Sequence, residues 1–95
     1  MTGMTLNELK QTMTDFDEIE FFYRGEQYDF QKEPGDDSQI KISVWHVKYN
    51  PECVYSVTIL KGDKNFVDAL INAKIFPDGK SIVEAEADID VEFFA

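Results

Sequence analysis

Between Glu18 and Val44 lie three runs in which apolar residues recur at every second position, and that alternation constrains the fold more than any other feature. Ile19, Phe21 and Tyr23 alternate with Glu20 and Phe22, and after Arg24-Gly25-Glu26 the residues Tyr28 and Phe30 alternate with Asp29. Two alternating runs around a glycine turn predict an antiparallel hairpin over 18–32. A charged, breaker-rich segment, Glu33-Pro34-Gly35-Asp36-Asp37-Ser38, reads as a loop. A second hairpin follows over 39–60: Ile40, Ile42 and Val44 alternate with Lys41 and Ser43, and Tyr49-Asn50-Pro51-Glu52 makes the turn. Cys53 to Leu60 is almost entirely β-branched, aromatic or apolar, which predicts the best-buried strand of the sheet.

On either side of this region the period is helical. Thr5-x-x-Glu8 forms a capping box, and Leu6, Leu9, Met13 and Phe16 follow at helical spacing, predicting a helix over 5–14. Asp63 is a candidate N-cap for a helix over 64–73, with Phe66, Ala69, Leu70 and Ala73 inward. Beyond the Pro77-Asp78-Gly79 turn the tail sends two signals. It alternates from Glu84 to Glu92 like a strand, yet Ser81-x-x-Glu84 is a second capping box and Glu-Ala-Glu-Ala favours helix. We read a short helix over 81–87 and then a strand over 88–94, with Ile89, Val91 and Phe93 inward. The resulting expectation is a small single α+β domain, 1–95. Its antiparallel sheet comprises two hairpins and a C-terminal strand, with two or three helices packed on one face.

Charge and residue inventory exclude several functions. Nine Lys and Arg stand against nineteen Asp and Glu, a formal charge of −10. Direct nucleic-acid binding requires clustered cations, and here no two basic residues are adjacent. An anionic membrane surface would repel the chain, and no apolar run reaches the ~18 residues of a membrane span. The first residues lack the pattern of a secretory signal, so a cytoplasmic location is the default expectation.

One cysteine and one histidine cannot supply a zinc site's usual ligands. The runs beginning at Asp15 and Asp88 lack the glycine of a calcium-binding loop. Gly79-Lys80-Ser81 lacks the earlier glycine of a phosphate-binding loop, because Lys74 stands there. We therefore expect no metal, no cofactor and no catalytic residues.

If Tyr49–Glu52 form a four-residue loop, His46 lies opposite Tyr55, and Cys53 lies apart from His46 as a small buried hydrophobe. What remains is a non-enzymatic acidic module that docks on a basic protein partner. A nucleic-acid-mimic inhibitor is one form of it, and the size and acidity suit a small protein of a bacterium, phage or mobile element. Candidate partner-binding residues are the C-terminal acids Glu84, Glu86, Asp88, Asp90 and Glu92, with Asp88, Asp90 and Glu92 forming one row on the strand's outer face. Tyr23, Arg24, Tyr28 and Tyr49 around the two hairpin turns join them. The alternative is a small-molecule-binding domain or minor enzyme with a pocket around His46 and Tyr55. A monomer, or a weak homodimer joined at an edge strand, suits either reading.

Overall fold

A computed structural model describes residues 1–95. Its elements are α1 (Leu6–Asp15), β1 (Glu18–Tyr23), β2 (Glu26–Pro34), β3 (Gln39–Val47), β4 (Glu52–Leu60), α2 (Phe66–Asn72), a single 3-10 turn at Glu86–Asp88, and β5 (Ile89–Phe94). The α+β class is as expected, with five antiparallel strands and two helices. The expected pair of hairpins and C-terminal strand are joined in one continuous five-stranded sheet, in the order β4-β3-β2-β1-β5. β2 pairs along its length with β3, so the first four strands make a meander and β5 returns beside β1.

Local chemistry explains the element boundaries. Thr5 accepts from the Glu8 amide at 3.1 Å while Glu8 accepts from the Thr5 amide at 2.9 Å, closing the capping box of α1. Arg24 and Gly25 both have positive φ, 53° and 77°, as a two-residue turn between right-twisted strands demands. Asp63 does not cap α2 directly. Its carboxylate accepts from the Asn65 amide at 2.8 Å and turns the chain into the helix two residues later than the spacing suggests. In the tail, Ser81 and Glu84 do form a capping box, but the helix it opens is a single turn followed by the 3-10 turn.

The core lies on one side of the sheet. Ile19, Phe21, Phe30, Ile42 and Val44 point into it and meet Leu9 and Met13 of α1 and Phe66, Val67, Leu70 and Ile71 of α2. Ala69, expected inward, is exposed. Ile75, Phe76, Ile82 and Ala85, from the segment after α2, complete the cluster.

β4 overturns the expectation of a best-buried strand. It is the sheet's edge, and none of its residues is fully buried. Ile42 and Val44 on β3 are buried, whereas Val57 and Ile59 on β4 are only half-buried. An apolar run signals strand, but whether that strand is central or marginal depends on pairing between distant segments.

Candidate functional site

Two β-bulges decide which side chains share a face. In the β3–β4 ladder Val44 pairs with Tyr55 but Trp45 pairs with Cys53, leaving Val54 as the extra residue. His46 therefore stands opposite Glu52, not Tyr55, and Cys53 is exposed beside Trp45 rather than buried. In the β1–β5 ladder Phe21 pairs with Val91 but Glu20 pairs with Phe93, leaving Glu92 as the extra residue. That bulge reverses the alternation, so Phe93 points away from the core, and the expected regular row of Asp88, Asp90 and Glu92 is broken.

The sheet face away from the core carries a transverse row across all five strands. Cys53 pairs with Trp45, Trp45 with Asp29, Asp29 with Glu20, and Glu20 with Phe93. The next row runs Val47, Gln27, Phe22, Asp90. Three aromatic side chains, Trp45, Phe22 and Phe93, thus stand among Glu20, Asp29 and Asp90 on the same face. Trp45 donates its indole N–H to Ser43 at 3.3 Å, and Ser43 is almost fully buried. A shallow cleft of about 250 Å³ beside Trp45 is lined by Asp29, Gln31, Val47 and Pro51.

The acids on this face repel one another. Asp29 and Glu20 are direct cross-strand partners, an arrangement that destabilises a sheet. Asp90 above all, and Glu20 to a lesser extent, push the Glu92 carboxyl above its ordinary value of 4.5. Gln27 at 3.1 Å and Thr2 at 2.7 Å each donate to one member, Asp29 and Asp90 respectively.

The other candidate residues are dispersed. Tyr23 and Tyr28 are buried, and Tyr49 is 96% exposed on the β3–β4 loop. The Tyr23 hydroxyl donates to Asp78 at 2.7 Å, which raises the phenol's pKa and lowers that of the carboxyl. Arg24 lies 3.8 Å from Asp78, with its guanidinium over the Tyr23 ring. Glu84 is held by Lys74 and by the Ser81 amide, and both interactions lower its pKa. Glu86 and Asp88 belong to the 3-10 turn.

His46 stacks on Tyr28 with ring centroids 4.6 Å apart, and its Nε2 lies 3.6 Å from a Glu26 carboxylate oxygen. That Nε2 and the Tyr28 hydroxyl are buried without hydrogen-bond partners. Burial pushes the Tyr28 phenol up to about 12. None of the five surface clefts is lined by His46 or Tyr55. No three His, Cys, Asp or Glu side chains converge to hold a metal ion, and no helix is long and apolar enough to cross a membrane.

Comparison with protein-family models, with curated proteins and with solved structures found no match to this chain.

Proposed function

We propose that the protein is a non-enzymatic interaction module that docks a basic partner on the outward face of β5, β1, β2 and β3. The observation that carries this reading is the row Trp45–Asp29–Glu20–Phe93, with an aromatic at each end and two adjacent, mutually repelling carboxylates between them. Large aromatics supply the apolar contact area typical of binding hot spots, and the carboxylates would pair with lysine or arginine. A cation seated between Asp29 and Glu20 removes a repulsion that the free sheet bears, so binding gains on both counts. Phe22, Asp90 and Glu92 extend the same surface, and the cleft beside Trp45 offers a recess for one side chain.

Trp45 is the only tryptophan, which makes it a reporter on this face. The test is a fluorescence titration with an arginine-rich peptide, comparing two pairs of substitutions that remove equal charge. Glu20→Gln with Asp29→Asn should weaken binding about tenfold, ~1.4 kcal/mol, and flatten its salt dependence. Asp36→Asn with Asp37→Asn, in the exposed β2–β3 loop, should leave affinity nearly unchanged. Equal losses in the two pairs would show that net charge, not this face, attracts the peptide.

A further inference from the structure

We infer that the free edge of β4 is an interface for a second copy of this chain, joining two five-stranded sheets into one continuous sheet across a two-fold axis. The two edges of the sheet are treated differently. β5 is guarded: Thr2 bridges to it, with the Thr2 amide donating to Ile89 and the Val91 amide to Thr2, both at 2.9 Å, and it carries Asp90, Glu92 and a bulge. β4 has no such cover. From Cys53 to Leu60 it contains no charge, no proline and no glycine, and only the bulge at Val54 interrupts it near its start. An uncharged edge rich in β-branched residues is a template for another strand.

Three observations favour a second copy as the occupant. The first is symmetry. Tyr55, Val57 and Ile59 all point to the core side and are all left half-buried at the edge. In a two-fold antiparallel pair, opposite residues share a face. A pair centred on Val57 therefore sets Val57 against Val57 and Tyr55 against Ile59 twice, completing the burial of all three with residues of the same kind. It also sets Ser56 against Thr58 on the outward side and uses only the regular stretch beyond the bulge.

The second observation is charge at the strand's ends. Glu52 begins β4 and Lys61 follows it, and neither has an ion-pair partner within the chain. With the Val54 bulge counted as one ladder position, the same centring sets Glu52 of each copy opposite Lys61 of the other.

The third is the charge of the surroundings. Residues 39–60 hold Lys41 and Lys48 against Glu52, a balance of two minus one, in a chain of net −10. The two strands that would meet thus carry little charge of their own, and the outward sheet face proposed for the basic partner stays uncovered, because pairing at the β4 edge extends the sheet in its own plane.

Sedimentation equilibrium of the native chain tests this. The expected result is a reversible dimer that Ser56→Lys with Thr58→Lys converts to monomer, since the pairing would place the introduced lysines opposite one another while both positions are exposed in the monomer. A monomer at every concentration, or a dimer that persists in the double variant, would overturn the inference.

Cross-linking gives an independent readout should that variant fold poorly. With Cys53→Ser, a Val57→Cys chain should form an intermolecular disulfide under mild oxidation. In the native chain the two Cys53 residues would lie about 20 Å apart across the pair and cannot bridge there. A native Cys53–Cys53 disulfide without one at position 57 would reject this interface. A dimer that forms only with an added foreign strand peptide would assign the edge to a different partner.

Discussion

Gly3 is where a single methyl group should undo a long-range contact. Its φ is +88°, and a Cβ built there would lie 2.1 Å from the Val91 carbonyl oxygen, inside the van der Waals contact of atoms fixed in a sheet. Gly3→Ala cannot be accommodated by a rotamer, so residues 1–3 must peel from β5. That releases two backbone hydrogen bonds, Thr2 to Ile89 and Val91 to Thr2, and the Thr2 hydroxyl bond to Asp90. At about 1 kcal/mol net for each backbone bond the loss is ~2 kcal/mol, bounded because the freed residues regain chain entropy. For a domain of this size that lowers the thermal midpoint by roughly 8–16 °C. The assay is thermal unfolding followed by circular dichroism, together with hydrogen exchange at the Val91 amide, which should lose protection while the central strands keep theirs. An unchanged midpoint with an unchanged Val91 exchange rate would mean that residues 1–3 stay on β5 despite the added methyl group.

Glu92, whose pKa is raised by Asp90 and Glu20, binds its proton more tightly in the folded chain, so its charge subtracts stability above the folded pKa and ceases to do so below the ordinary 4.5. Glu92→Gln should therefore raise the unfolding midpoint near neutral pH and have little effect below 4.5, as thermal scans at the two pH values will show. Glu8, Asp78 and Glu84 have the opposite sign: their lowered pKa values add stability above the ordinary carboxyl range, and native stability should fall as acidification passes through their folded values. Tyr28→Phe removes a buried hydroxyl that has no partner, so the urea midpoint should rise, by ~1 kcal/mol in unfolding free energy; a fall would mean the hydroxyl is bonded in solution.

Features governed by neighbours in sequence were legible in the chain. Both capping boxes close as Thr5-x-x-Glu8 and Ser81-x-x-Glu84 imply, and the alternation around Arg24-Gly25 locates β1 and β2. Features set by distant pairing were not. Nothing at Val54 or Glu92 marks a bulge, yet each bulge changes the face of the residues beside it, exposing Cys53 and turning Phe93 outward. The apolar run of β4 resembles a central strand because composition records what a strand can bury, not how many neighbours it has. Thr2 meets Asp90 across 88 residues, beyond the reach of any local pattern. The candidate surface was accordingly half visible: Asp90 and Glu92 stood out as part of an acidic run. Trp45, Asp29, Glu20 and Phe22 join them only once the strand order and register are known.

Docking through the outward sheet face is tested most directly by mapping backbone amide shifts of the native protein as the arginine-rich peptide is added. Shifts should concentrate at Glu20, Phe22, Asp29, Trp45 and Phe93, with α1 and α2 on the opposite side undisturbed. Shifts centred on the helices, or spread evenly over every exposed acid, would contradict it.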